Sequence, residues 1–336
     1  MNYTDRTRTV LARMMDVLVI DSDHSFRLAN EQFSVAPASN PSDIPLIRDM
    51  QYVLYRSCYC HPFGLPVPKV ENAPSAEHLL QELTAIHSGL STWDRGWSLY
   101  GAGTDGRVYL QKGERQRVAL PGEFITATPG TSIQTGIQVS LWMERSSAMY
   151  QPGFFHFFGD IPTDSWDDFD LFRLYFHTTP HGVAHLIRNL SRSLSRYRVP
   201  DLMKTLVQPE AYIRADATVL YIARRYHQIV LRILQGISAA DHQALRSETP
   251  LFTCMLSSGI GFADDPGRNE SFGMHRCRLV AEAIYSCALE GRQDTTSRME
   301  AAEKVFAQNG LSLGRPHLGA GKTEISIPQQ KEEMSA

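Results

Sequence analysis

One lysine stands apart from the other basic residues of the chain. Lys204 is the only lysine between Lys112 and Lys304, and it lies in the apolar run LMKTLV. On a strand, the two-residue period places Leu202, Lys204 and Leu206 on one face. A lysine on such a face either extends its amine to water, which composition alone favours, or is a partly buried amine with a lowered pKa. In the second case it can act as a base near neutral pH, which an arginine cannot.

Positive charge is concentrated in the same part of the chain. Residues 173–232 contain ten Arg or Lys residues against three acidic residues, a net charge of +7, whereas the remainder carries −10 and the whole chain −3. Such an asymmetry suggests an anionic partner or ligand. The alternative is a solvated helix face, which we favour for Arg188, Arg192 and Arg196. Arg214, in a mixed polar and apolar stretch, is harder to explain in that way.

Composition excludes several classes of protein. A net charge of −3 and a pI near 6.5 argue against a nucleic-acid binder, which would be strongly basic. Apolar runs such as residues 17–20 are too short to span a membrane, and the N-terminus lacks the pattern of a signal peptide. Five cysteines are too few for a disulfide framework. We therefore expect a cytoplasmic protein with no nucleic-acid or membrane partner.

Hydrophobic periodicity predicts an α+β fold with a helical N-terminal part and a mixed, mainly antiparallel sheet flanked by helices. Strand-length apolar runs occur at residues 137–143, 154–158, 171–176, 203–207 and 251–256. Asp105-Gly106 predicts the turn of a hairpin. Asp216 is predicted to begin a long helix carrying Val219 and Ile222, and Ser271 another that ends near Leu289.

These elements suggest three regions. Residues 1–92 are predicted as a helical N-terminal region and residues 93–310 as an α+β core. Residues 311–336 are predicted as a flexible tail, because they are rich in glycine and polar residues and carry no clear period.

Several motifs resemble the Hop-A-type effector family. The longest is residues 203–221, MKTLVQPEAYIRADATVLY. Residues 249–253 (TPLFT), 259–266 (GIGFADDP) and 270–278 (ESFGMHRCR) match the same family. Weaker similarities are Leu54-Tyr55 with Tyr59-Cys60, DRGW at 94–97 and LYF at 174–176, so that the resemblance spans roughly residues 50–290.

Relatives of that family in ribosomal-peptide gene clusters resemble phosphoserine/phosphothreonine lyases of class V lanthipeptide and thioamitide biosynthesis. The resemblance implies elimination of phosphate from a phosphorylated precursor peptide to give dehydroalanine or dehydrobutyrine, without a cofactor or metal. It also implies a complex with a peptide kinase. The alternative is a non-enzymatic protein that binds a leader peptide or a kinase, or a host-directed effector.

The implied reaction assigns roles to particular side chains. Lys204 is the candidate base, and His275 or Tyr221 the candidate acid that protonates the leaving oxygen. The phosphate dianion suits guanidinium groups, and the candidates are Arg214, Arg276 and Arg173. Asp216 is expected to orient an arginine or to cap its helix, and the start of the helix at Ser271 offers free N–H groups to phosphate.

Three histidines repeat at every fourth residue, at 177, 181 and 185. A pair of this kind on a helix can bind zinc, but no HExxH pattern accompanies it and Pro180 interrupts the spacing. We therefore predict no metal site here and expect His177 to line the candidate site as a supporting residue.

Overall fold

The computed structural model describes residues 3–38, 43–87, 91–113, 115–128, 130–161, 170–267 and 270–325. Within these ranges the chain forms eight α-helices and three antiparallel sheets, which confirms the predicted α+β class. The helices are α1 (Tyr3–Val17), α2 (Pro45–Leu54), α3 (Ala76–Ile86), α4 (Val183–Arg196), α5 (His227–Gln235), α6 (Ala239–Gln243), α7 (Phe272–Leu289) and α8 (Thr295–Gln308).

The strands fall into a small, a medium and a large sheet. The small sheet is β1 (Leu18–Ser22), β2 (Ser25–Leu28) and β3 (Glu31–Ser34). The medium sheet is β4 (Thr92–Ala102), β5 (Val108–Lys112), β6 (Arg115–Ala119), β7 (Phe124–Thr126) and β8 (Gln138–Met143), in the order β6-β5-β4-β8-β7. Its strands β4 and β5 form the predicted hairpin, and Gly106 in the turn has a φ of 83°, which favours glycine.

The large sheet has seven strands in the order β14-β15-β11-β13-β12-β10-β9, and every pair is antiparallel. Its strands are β9 (Ser146–Gln151), β10 (Phe154–Phe158), β11 (Leu171–Phe176), β12 (Leu202–Leu206), β13 (Thr218–Ala223), β14 (Cys254–Ser257) and β15 (Ile260–Asp264). Aromatic and β-branched residues dominate β10, β11 and β13, as expected for buried strands.

The two faces of the large sheet carry different cores. Phe172, Leu174 and Leu220 share a buried cluster with the apolar residues of α4. Tyr175 and Val219 belong to a second cluster with residues of α2 and α7. Since side chains alternate along a strand, Arg173 on β11, Lys204 on β12 and Tyr221 on β13 lie on the α2 and α7 side of the sheet.

Asp216 does not begin a helix, which corrects one prediction. The residues that follow it form β13, and helical structure resumes only at a 3-10 turn, Arg224–Tyr226, and at α5. Val219 and Ile222 have helical spacing, but they lie on opposite faces of a strand that is buried on both sides. A short apolar run fits either structure, and pairing with β11 and β12 decides for the strand. The predicted helix from Ser271 is confirmed, because the Ser271 side chain accepts a hydrogen bond from the Met274 backbone N–H.

The prediction of a flexible tail from residue 311 is wrong for the part that the structure describes. Leu313, His317 and Leu318 are at most 5% exposed. The buried Arg276 of α7 donates to the backbone oxygens of Pro316 (2.8 Å) and Leu318 (2.9 Å). These contacts hold the segment 311–325 against the core. Residues 326–336 lie outside the described residues.

Candidate functional site

Strand register brings three of the predicted site residues together. Arg173 on β11 pairs directly with Tyr221 on β13, and its guanidinium lies 5.0 Å from the centre of the Tyr221 ring. Lys204 on β12 pairs with Val219, so Tyr221 is its diagonal neighbour on the same face. The Lys204 amine lies 5.8 Å from the centre of the Tyr221 ring. The ring of Tyr221 is thus in contact with both cations.

Of the two interpretations that the sequence left open for Lys204, an amine extended to water and a partly buried amine, the structure shows the second. Its Nζ donates to Gln151 Oε1 at 3.0 Å and lies 4.4 Å from the centre of the Phe154 ring. Burial lowers the pKa of Lys204 to about 8, with further lowering by Arg173 and Arg214 that Asp216 opposes. A substantial fraction of the amine is therefore neutral near physiological pH, as a general base requires.

Arg173 is a buried cation with a carboxylate partner. Its side chain is 8% exposed, and its Nε donates to Asp265 Oδ2 at 2.8 Å. A guanidinium has further donors on its terminal nitrogens, so the hydrogen bond from Nε leaves it able to bind an anion. Asp265 follows β15 directly, in the segment GIGFADDP.

Arg214 and Asp216 form a second ion pair, and both of its charges influence the pKa of Lys204. Arg214 donates from Nε and Nη2 to the two Asp216 oxygens, each at 2.9 Å, in a bidentate geometry. The Tyr55 hydroxyl donates to Asp216 Oδ2 at 3.0 Å and lies 2.8 Å from Arg214 Nη2. Burial raises the pKa of Asp216, but Arg214 outweighs it and holds the pKa below its usual value. Asp216 thus orients Arg214, as expected from the sequence.

Tyr55 comes from a distant part of the chain. It begins a π-helix, Tyr55–Tyr59, that continues α2, and its ring stacks on Tyr59 at 5.2 Å. Only the weak similarity at Leu54-Tyr55 pointed to this residue, because its partners are about 160 residues away in sequence. Segments of π-helix are frequent at functional sites.

His177 directly follows β11 and contacts the segment around Glu248. His177 is 2% exposed, and its Nδ1 lies 3.1 Å from the backbone oxygen of Glu248. Burial lowers its pKa to about 4, with smaller influences from Arg246, His61 and Asp216. His177 is therefore neutral near pH 7. In the part of the chain that the structure describes, no three His, Cys, Asp or Glu residues are arranged to hold a metal ion.

One further residue beside Lys204 was missed from the sequence. His156 on β10 pairs directly with Lys204 across the strands and is 2% exposed. Burial, and next the charge of Lys204, lower the pKa of His156 to about 4. Its position in the aromatic run FFHFF made it look like a core residue, and only the strand pairing reveals its neighbour.

Arg276 and His275 make their described contacts elsewhere. The Arg276 guanidinium binds the backbone of the segment 311–325 and lies 4.9 Å from the centre of the Phe272 ring. His275 Nδ1 lies 2.6 Å from Arg276 Nη1, and burial lowers the pKa of His275 to about 4. The roles of these two residues stay predictions, and the structure shows a structural role for Arg276.

Comparison with known proteins decides the family. The HopA1 effector protein family matches residues 145–318, just over half of the chain. The chain belongs to the HopA1 effector protein family. The matched residues include Gln151, Arg173, Lys204, Arg214 and Arg276.

Two solved structures of effector proteins are similar to the chain. An effector protein from Pseudomonas syringae pv. tomato strain DC3000 is 16% identical, with a TM-score of 0.45, covering 84% of this chain and 91% of its own. An effector protein from Pseudomonas syringae pv. syringae strain 61 is 16% identical, with a TM-score of 0.44, covering 80% and 88%. A search of the curated proteins finds no match.

Two cavities lie away from Lys204. One of about 370 Å³ is lined by residues of β2, β3 and α2 together with Met274. The other, of about 580 Å³, lies between α3, α4 and the ends of β10 and β12. None of the described helices is long and apolar enough to cross a membrane.

Proposed function

We propose that this protein is a phosphoserine/phosphothreonine lyase that acts on a phosphorylated peptide. The observation that carries the proposal is Lys204, a half-buried amine with a pKa of about 8, under the influence of the two arginines Arg173 and Arg214. This combination provides a base and an anion site within one group of side chains. Membership of the HopA1 family supports the proposal through the resemblance to the lyases of ribosomal-peptide pathways.

Lys204 Nζ is the proposed base. The neutral amine takes the proton from Cα of the phosphorylated residue, and the electron pair of that bond forms the Cα–Cβ double bond. The Cβ–O bond breaks and its electron pair leaves with the phosphate. The products are the dehydroamino acid, phosphate and a protonated Lys204, which then loses its proton to solvent.

Arg173 and Arg214 are the proposed phosphate ligands. Guanidinium groups bind phosphate oxygens with paired, charge-assisted hydrogen bonds. Each arginine already has a carboxylate partner, Asp265 or Asp216, which fixes its position before the substrate arrives. The same two cations favour the neutral form of Lys204. The two arginines therefore serve both the binding of phosphate and the removal of the Cα proton.

Tyr221 is the favoured candidate for the acid. Its ring contacts both Arg173 and Lys204, whereas the described contacts of His275 lead to Arg276. Burial raises the pKa of Tyr221, so its hydroxyl keeps its proton at neutral pH and can donate it to the leaving oxygen. The resulting phenolate then regains a proton from solvent, which restores the starting state together with the deprotonation of Lys204. Asp216 and His177 would act as positioning residues.

Incubation with a synthetic phosphothreonine peptide tests the proposal. We expect the product to be lighter than the substrate by one phosphoric acid, as read by mass spectrometry. Lys204→Met should abolish this loss, because methionine keeps the apolar stem and removes the base. The matched control is Lys304→Met, which changes an exposed lysine on α8 and should leave the reaction unchanged.

Other outcomes identify the alternatives. A product that retains the threonine hydroxyl would mean a phosphatase and would exclude the lyase. Full activity in a folded Lys204→Met variant would remove Lys204 as the base. If the peptide or a peptide kinase binds without any reaction, the group of Arg173, Lys204 and Arg214 is a binding interface. This result is expected for a binding partner or a host-directed effector. The lyase proposal also requires a kinase that supplies the phosphorylated peptide.

A further inference from the structure

The cavity of about 580 Å³ is separate from the Lys204 site. It lies where α3 ends, between α4 and the ends of β10 and β12. Its charged lining residues are Arg145, Arg188, Arg192, Asp160 and Asp201. Three cations and two carboxylates give the lining an excess of positive charge even when both acids are ionised.

Arg145 provides a buried positive charge in this lining. Its side chain is 11% exposed, and its nearest carboxylate, that of Asp160, is at 4.0 Å, the outer limit of an ion pair. Among the residues that the structure describes, its Nε has no hydrogen-bond partner. Burial lowers the pKa of Arg145, which shows that its charge is incompletely compensated. An anion in the cavity would supply the missing compensation.

Arg188 and Arg192 lie one helical turn apart on α4. Residues four apart occupy the same helix face, so both guanidinium groups are directed toward the same opening. Neither makes an ion pair with any residue in the described ranges. Between them, the Ser191 hydroxyl is buried and has no hydrogen-bond partner among the same residues. The wall thus offers several unused donors.

The acidic residues of the cavity reduce this positive charge only in part. Asp160 accepts a hydrogen bond from the Ser195 hydroxyl at 2.5 Å. Burial raises the pKa of Asp201 to about 7, so that this carboxyl is partly protonated near neutral pH. The positive excess therefore persists at physiological pH.

We propose that this cavity binds an acidic segment of polypeptide, with its carboxylates on Arg188 and Arg192 and the buried Arg145 beneath them. In an extended chain, side chains two residues apart project on the same side about 7 Å from each other. Four residues of α-helix rise about 6 Å, so two such carboxylates match the two arginines. A free phosphate ion offers one anionic group and cannot span the pair.

The site does not depend on the lyase proposal. Arg188 and Arg192 project from α4, which covers the opposite face of the large sheet from Lys204. The cavity and the Lys204 site come nearest along the chain at β12. Asp201, which lines the cavity, directly precedes this strand, and Lys204 lies within it. A protein that binds an acidic peptide here without any catalysis would satisfy this proposal and contradict the previous one.

Fluorescence anisotropy with a short labelled oligoglutamate peptide tests the proposal on the full chain. We expect saturable binding that weakens with added salt and that falls about tenfold in the Arg188→Gln/Arg192→Gln variant. The matched control is Arg196→Gln/Arg198→Gln, which removes two nearby arginines that do not line the cavity. The circular dichroism spectra of all variants should coincide, since these arginines are half-buried or exposed.

Three results would overturn the proposal. The first is equal binding by both double variants, which would mean general attraction to the basic segment. The second is equally tight binding of oligolysine. The third is displacement of the peptide by inorganic phosphate at the peptide's own concentration, which would mean a site for a small anion.

Discussion

Lys204 titrates at a pH set by opposing neighbours. Burial gives the largest lowering of its pKa, Arg173 and Arg214 add to it, and Asp216 partly reverses it, with a result of about 8. An ordinary lysine, with a pKa near 10.4, would be almost entirely charged at neutral pH. The local environment of Lys204 therefore increases the neutral fraction of the amine without requiring complete burial.

This titration predicts the pH dependence of the proposed reaction. Because the base must be neutral, the rate should rise by up to about tenfold per pH unit below pH 8 and level off above it. The second ionisation of the substrate phosphate occurs near pH 6, so the profile should be measured above pH 7. A rate that falls between pH 7 and pH 8 would exclude neutral Lys204 as the base.

Two charge variants check the assignment of that profile to Lys204. Arg173→Gln removes a cation and should move the midpoint to higher pH, besides slowing the reaction. Asp216→Asn removes a nearby negative charge and should move the midpoint to lower pH. If both variants keep the midpoint of the parent protein, another group controls the profile.

At the level of elements, α7 and the π-helix meet closely at Gly273. A Cβ at this position would lie 2.5 Å from Tyr59 Cε1 and 2.7 Å from Tyr55 Cε2, both much closer than a normal contact. Tyr55 in turn binds both Arg214 and Asp216. The position of the arginine therefore depends on the absence of a side chain on a neighbouring helix.

Gly273→Ala should both destabilise the protein and slow the proposed reaction. Helix propensity alone favours alanine by about 1 kcal/mol, but overpacking costs typically 1–3 kcal/mol, so we expect a net loss of up to about 2 kcal/mol. Urea unfolding measures it. The control is Gly236→Ala at the end of α5, where the Cβ would meet nothing closer than 3.5 Å. Stabilisation of Gly273→Ala by about 1 kcal/mol, as helix propensity alone predicts, would contradict the tight packing.

Strands and helices that are determined by their local sequence could be predicted. The side-chain contacts within the candidate site, which join distant segments, could not. The strands at 154–158 and 171–176 are confirmed to the residue, because short aromatic runs have few alternatives to a buried strand. The apolar run after Asp216 fits a helix or a strand that is buried on both faces, and only pairing with neighbouring strands decides between them. The Tyr55–Arg214–Asp216 group joins segments about 160 residues apart, so no local pattern could reveal it.

At the level of the whole molecule, the positive charge of residues 173–232 divides between the two faces of one sheet. Arg173 and Lys204 lie on the side of α2 and α7, whereas Arg188 and Arg192 project from α4 on the other side. Asp201 directly precedes β12 and lies three residues from Lys204, which corresponds to about 10 Å of extended chain. If both proposals hold, one peptide could occupy both sites by passing around the ends of β10 and β12.

The C-terminal segment 311–325 contributes to the stability of the whole molecule. Besides its two contacts with Arg276, the Gly319 backbone N–H donates to Asp264 at 2.9 Å, and Arg224 donates to the backbone oxygen of Thr323. Lys322 also pairs with Asp170 at 2.6 Å. The acceptors for Arg276 lie 40 and 42 residues beyond it in sequence, which is why a composition-based prediction of a loose tail failed.

Removal of residues 311–336 should therefore lower the free energy of unfolding substantially. Two donors of the buried Arg276 would lose their acceptors, at about 1–3 kcal/mol each, and apolar surface now covered by Leu313 and Leu318 would be exposed. Removal of residues 327–336 is the control, because it deletes none of these contacts. Thermal and urea unfolding of the two truncations should differ by several kcal/mol in total. Equal stabilities would mean that Arg276 does not need the segment, and would return it to the list of candidate phosphate ligands.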